Sequence, residues 1–138
     1  MDASVIAKWV LPGEPYQENA VRLKDEYVSG AVGLSSLCFV IKEVASALWK
    51  AIKQDRISEK DARDALTALD DLKIELHELS WAQTSKALGI ACELGLTVYD
   101  ASYVYLSEEM GLPLITADKT LHEKAGKRFK IRYVGDYA

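Results

Sequence analysis

Four carboxylates, Asp2, Glu43, Asp100 and Asp118, stand where they can act together. Asp100 follows the apolar stretch 96–99, Asp118 follows a second one at 114–116, and Asp2 leads into a helical pattern through Ala3 and Ser4. In an open parallel sheet, ligands bind in the crevice beyond the carboxyl ends of the strands, and that is where the sequence positions these aspartates. Each aspartate alone reads as an ordinary helix N-cap. Three at one sheet edge repel one another, and such a cluster persists when a cation neutralises it or when protons are shared. Glu43 adds weight because it borders the apolar stripe of a long helix, where a desolvated carboxylate needs a partner. A surface salt bridge to Lys42 or Lys50 is the competing explanation.

Hard oxygen ligands without a His or Cys cluster point to Mg²⁺ or Mn²⁺ rather than zinc. His77 and His122 are isolated from other ligands in the sequence. The hydroxyls of Ser4 and Thr116, each two residues from an aspartate, can orient a carboxylate or a bound water. Cys38 and Cys92 fall in patterns that look like apolar helix faces and read as buried thiols without a chemical role.

The elements that must position the acids alternate. A short helix over 4–10 ends at Pro12 and Gly13, and a second over 15–29 stops at Gly30. Residues 31–34 read as a strand, followed by serines that can cap a long helix over 37–54 with the stripe Val40, Val44, Ala47, Leu48 and Ala51. Ser58 and Asp61 open a helix toward Leu72, and 74–79 alternates like a strand. Ser80 and Gln83 have capping-box spacing for a helix that ends at Gly95. Then come a strand over 96–99, a helix from Asp100 to Gly111, a strand over 114–116, a helix from Asp118 and a final strand over 130–134. This alternation predicts an α/β domain around a mostly parallel sheet.

The chain has 138 residues, 49% hydrophobic and 28% charged, which suits one domain and excludes a disordered polar chain. The net charge of −4 is unexpected for a nucleic-acid enzyme, yet four acids in one site would account for it and leave the remaining surface free to carry basic patches. Lys8, Lys42, Lys50, Lys53 and Lys119 lie near the motifs and are open to either reading, backbone contacts or solvated charges. No apolar run approaches the length of a membrane span, and no secretory leader is evident, so a cytoplasmic protein without membrane contact is expected.

The opening Asp2-Ala3-Ser4-Val5-Ile6-Ala7-Lys8-Trp9 with Pro12, the helical Glu43-Val44-Ala45-Ser46-Ala47-Leu48, the run Thr97-Val98-Tyr99-Asp100-Ala101-Ser102-Tyr103-Val104, and Leu114-Ile115-Thr116-Ala117-Asp118 with Leu121 resemble the PIN domains of VapC-type toxins. Four motifs in order and at matching separations span nearly the whole chain. The resemblance implies a PIN-like three-layer α/β domain over 1–138, with a mostly parallel central sheet flanked by helices. It also implies a Mg²⁺- or Mn²⁺-dependent endoribonuclease that acts as the toxin of a toxin–antitoxin pair. RNA is then the substrate, an antitoxin covers the site, and the protein is a homodimer; Trp9 and Tyr16 are plausible antitoxin contacts. Carried over by position, Asp2, Glu43, Asp100 and Asp118 match the family's acidic quartet, and Ser4 and Thr116 its accessory hydroxyls. The chain departs from the pattern at Ser46, where many relatives have Asn.

A phosphatase-like enzyme also places acids at strand ends, but Ser4 stands where its second aspartate would be. A non-catalytic α/β interaction module, in which the acids merely cap helices, is the other alternative. In the resembling family the first acid ends an apolar strand, whereas only Met1 precedes Asp2 here; a first strand truncated before Asp2 is therefore expected.

Overall fold

The computed structural model describes residues 1–138. Two helices come first, α1 (Ala3–Val10) and α2 (Gln17–Val28), followed by β1 (Ser35–Leu37), α3 (Val40–Lys53), α4 (Glu59–Asp71) and β2 (Glu75–His77). The second half holds α5 (Trp81–Leu94), α6 (Val98–Met110), β3 (Leu114–Thr116), α7 (Lys119–Ala125), β4 (Ile131–Tyr133) and a 3₁₀ turn over Val134–Asp136. None of the helices is long and apolar enough to cross a membrane.

Both strand pairs are parallel, as the alternating order requires. Ser35 pairs with Glu75 and Leu37 with His77 in the first ladder; Leu114 pairs with Ile131 and Thr116 with Tyr133 in the second. Met1 and Asp2 stitch the two ladders together. The Met1 amino group donates to the Ser35 carbonyl at 2.9 Å, the Ser36 hydroxyl donates to the Met1 carbonyl at 2.8 Å, and the Asp2 N–H donates to the Ile115 carbonyl at 3.3 Å.

The core gathers the inner faces of these elements. Val5, Leu23, Leu37, Val44, Leu48, Val104, Leu121 and Val134 are fully enclosed. Helix α3 is amphipathic as its spacing predicts, with Val40, Val44, Leu48 and Ala51 inside. In α6, six consecutive residues from Ala101 to Leu106 are buried, the signature of a helix covered on all sides. The Ser80–Gln83 capping box forms, and Gly95 ends α5 in the left-handed conformation.

Several expected boundaries are wrong for identifiable reasons. The strand expected at 31–34 lies at 35–37 instead, so the serines read as helix caps are strand residues, and Ser36 spends its hydroxyl on Met1. Helix α3 accordingly begins at Val40, with Phe39 at the cap position and no side-chain cap bond. Residues 96–99 do not form a strand. Thr97 is extended and its hydroxyl accepts the Asp100 N–H at 3.1 Å, which starts α6 at Val98 and puts Asp100 inside the first turn. No other strand lies beside this segment, and Val98 and Tyr99 remain exposed. The cysteines also differ from expectation: Cys38 follows β1 and is half-buried, and Cys92 is exposed on α5.

Candidate active site

Asp2 caps α1, its carboxylate accepting the Ser4 N–H at 3.1 Å. The same oxygen, Oδ1, accepts the Ser4 hydroxyl at 2.5 Å, and Oδ2 accepts the Thr116 hydroxyl at 2.5 Å. Thr116 also accepts the Asp118 N–H at 3.0 Å, while Ser4 Oγ accepts the Ala117 N–H at 2.8 Å and lies 3.3 Å from Thr116 Oγ1. The two accessory hydroxyls thus tie the start of α1 to the end of β3. Asp2 is buried, 5% exposed. Burial pushes its carboxyl above the usual range; the Ser4 and Thr116 bonds pull it down, and the charge of Asp100 pushes it up again.

Glu43, half-buried on the first turn of α3, accepts the Tyr103 hydroxyl at 2.6 Å. It forms no ion pair with Lys42 or Lys50, which removes the salt-bridge explanation. Desolvation raises its carboxyl, the Tyr103 bond opposes that, and repulsion from Asp2 and Asp100 adds to the rise. Asp100 is raised by burial first and by Asp118 next, against the lowering influence of Thr97 and Lys124. Asp118 caps α7, its Oδ1 accepting the Leu121 N–H at 3.1 Å.

All four acids therefore face one another electrostatically: Asp2 with Asp100, Glu43 with both, and Asp100 with Asp118. Two of the three aspartates are also the N-caps that the simplest reading expected, so capping and clustering coexist. The donor set consists of hard oxygens, and Asp100, Glu43 and Asp118 keep lone pairs free, which fits Mg²⁺ or Mn²⁺ in kind. No three His, Cys, Asp or Glu side chains converge closely enough to form a ready ligand set.

Tyr103 is the site residue that sequence reasoning missed. Its ring is buried and its hydroxyl fixes Glu43; burial and Glu43 push that hydroxyl far above the usual tyrosine range. A signal existed, because a buried tyrosine needs a hydrogen-bond partner and Tyr103 lies one turn after Asp100. The histidines take no part in the site. His77 sits beside Glu75 on β2, and His122 packs against Tyr133. Lys8 is buried and paired with Glu14 at 3.7 Å, which takes it out of the set of surface basic residues.

The fold and site define an α/β protein with an acidic, hydroxyl-braced cluster at the carboxyl end of β3. Residues 1–127 match the PIN domain family. Ribonuclease VapC3 of Pyrobaculum aerophilum is 38% identical over 125 residues, 90% of this chain and 92% of the relative. Exonuclease VapC9 of the same organism is 35% identical over 72% of this chain and 73% of its own length. Ribonuclease VapC1 of Mycobacterium tuberculosis is 34% identical over 67% of this chain and 68% of its own. Among solved structures, PAE2754 of Pyrobaculum aerophilum superposes with a TM-score of 0.69 at 28% identity, covering 96% of this chain and 86% of that one. This chain belongs to the PIN-domain family, among its VapC members.

Proposed function

We propose that this protein is a metal-dependent endoribonuclease, the toxin of a toxin–antitoxin pair, and that it hydrolyses RNA phosphodiester bonds at Asp2, Glu43, Asp100 and Asp118. The observation that carries the reading is the bracing of Asp2, whose buried carboxylate is held by Ser4 and by Thr116 at the end of β3, two residues before Asp118, in a group of acids whose charges act on one another. Negative charge concentrated in this way calls for a cation, and a relative matched over nearly its full length carries the name ribonuclease.

Mg²⁺ or Mn²⁺ would be held by the four acids. Bound there, such an ion supplies a water activated at neutral pH and offsets charge on the phosphate. The chain's own residues prepare the site. Ser4 and Thr116 clamp both oxygens of Asp2, so this buried carboxylate has one orientation. Tyr103 holds one oxygen of Glu43, Oε1, and leaves the other free. Asp100 and Asp118 are less buried than Asp2, which leaves them accessible to a phosphate.

Purified protein with Mn²⁺ should cut a circular RNA as well as a linear one, and Asp100→Asn should abolish both reactions. Loss of linear RNA alone would favour the exonuclease reading that the name of one relative suggests. Cleavage by Asp100→Asn at the wild-type rate would overturn the site assignment. The antitoxin and the homodimer belong to the same proposal, supported by exposed apolar residues such as Trp81 at 95% and Trp49 at 56% exposure. A monomer by light scattering at high concentration would count against the dimer.

A further inference from the structure

We propose that Tyr16, Tyr133 and Lys119 form a contact for single-stranded RNA beside the acids, the rings stacking on a base and the ammonium meeting a backbone phosphate. The proposal rests on the reading of the crevice as an RNA-cleaving site and names how that site holds its substrate.

Location comes first. Tyr133 is the ladder partner of Thr116, the residue whose hydroxyl braces Asp2. Adjacent strands run about 5 Å apart, so Tyr133 stands one strand from the acids. Lys119 follows Asp118 directly. A strand of RNA with a phosphate at the acids would therefore carry a neighbouring nucleotide over this cluster.

The cluster combines two tyrosine rings with one lysine ammonium. Tyr16 and Tyr133 meet edge to face with ring centroids 5.5 Å apart and planes at 77°. Lys119 Nζ lies 6.0 Å from the Tyr16 ring centre and 5.7 Å from that of Tyr133, and it forms no ion pair. Tyr16 holds φ 56° and ψ 26°, a left-handed conformation that suits Gly or Asn, and it gives α2 no side-chain cap. Tyr16 is nevertheless 44% exposed. Behind the pair, a Cβ on Gly135 would fall 2.5 Å from Tyr133 Cε1 and 3.2 Å from Tyr16 Cδ1, so glycine alone lets the chain lie under both rings.

A strained, exposed tyrosine set edge to face on a half-buried one beside a candidate active site calls for a functional explanation. Unpaired bases are held by stacking on aromatic faces, and phosphates by lysine. A protein partner could also use the rings, but an unpaired cation between them matches a ligand that alternates flat bases with negative charge.

Binding is read by fluorescence anisotropy in EDTA, which separates it from catalysis, using a labelled single-stranded RNA of about twelve nucleotides and the same strand made fully abasic. Tyr16→Asn, which suits the left-handed backbone, should keep or raise the melting temperature yet weaken binding to the intact strand by about five-fold or more. Its affinity for the abasic strand should stay unchanged. Lys119→Met should weaken binding to both strands and reduce the salt slope by about one. Wild-type affinity in Tyr16→Asn and Tyr133→Leu overturns the proposal, as does a loss that is equal for both strands. A drop in the melting temperature of Tyr16→Asn makes the ring a structural support and overturns it too. So does intact RNA affinity in a variant that no longer associates with a co-expressed antitoxin. If the wild type neither binds nor cuts any RNA, the ribonuclease reading fails as well; if it cuts RNA and Tyr16→Asn binds as tightly as wild type, only the stacking contact fails.

Discussion

Thr116→Val replaces a buried hydroxyl with a methyl of nearly the same shape, and the structure sets what that should cost. The hydroxyl donates to the Asp2 carboxylate at 2.5 Å and accepts the Asp118 N–H at 3.0 Å, with Thr116 fully enclosed. A hydrogen bond to a charged group is worth about 1.5–3 kcal/mol, and an orphaned N–H costs about 1 kcal/mol more. The gain from an additional buried methyl offsets about 1 kcal/mol. The net loss is about 1.5–3 kcal/mol. With an unfolding entropy of about 2.1 cal/mol/K per residue, a chain of 138 residues gives about 0.3 kcal/mol/K, so the melting temperature should fall by about 5–10 °C. The loss should shrink at low pH, because the lost bond favours ionised Asp2 and matters less once that carboxyl is protonated. Urea unfolding of the metal-free protein at about pH 5 and about pH 8 measures both effects. Thr116→Ser, which keeps the hydroxyl, should lose much less. Thr116→Val within about 0.5 kcal/mol of wild type, close to the range of neutral surface changes, would refute the claim that this hydroxyl braces the site.

Asp100→Asn removes one charge from a repelling set, so the metal-free variant should melt above wild type while cleavage disappears; calorimetry and an RNA assay check the two halves. Asp2, Glu43 and Asp100 all have raised carboxyls in the folded state, so their stabilising contribution is complete below the ordinary carboxylate range and is lost as pH rises through the raised values. Metal-free protein should therefore be more stable at about pH 5 than at about pH 7.5, and Mn²⁺ should recover the difference; a flat profile unaffected by Mn²⁺ contradicts this. Tyr103→Phe should leave the fold intact, raise the Glu43 carboxyl further and slow cleavage about ten- to a hundred-fold, the usual cost of losing a group that orients a metal ligand; unchanged rates would make Tyr103 a packing residue only.

Legibility in the sequence followed the range of the forces involved. Helix α3 was visible because its stripe is periodic, and α5 because Ser80, Gln83 and Gly95 act within one turn. Glu43 stood out for the same periodic reason. Residues 96–99 misled because apolar character alone does not separate a strand from the start of a helix; Thr97, whose hydroxyl accepts the Asp100 N–H, was the deciding local signal. The serines at 35 and 36 misled because a hydroxyl that caps a helix looks no different from one that reaches Met1, more than thirty residues away. Tyr103 and Tyr133 join the site only through tertiary contacts, to Glu43 and beside Thr116, so spacing along the chain does not announce them.

The seam at Met1 and Asp2 has a mechanical meaning. Glu43 rides on the half built from β1 and β2, Asp118 on the half built from β3 and β4, and Asp2 sits on the line between them. The bonds that cross that line come from two consecutive residues, and a single core lies beneath it. The residue that carries the most buried of the four carboxylates is thus also the rivet between the two ladders. A displacement at the start of α1 is felt by both at once, so the spacing of the acids and the register of the strands are one and the same adjustment.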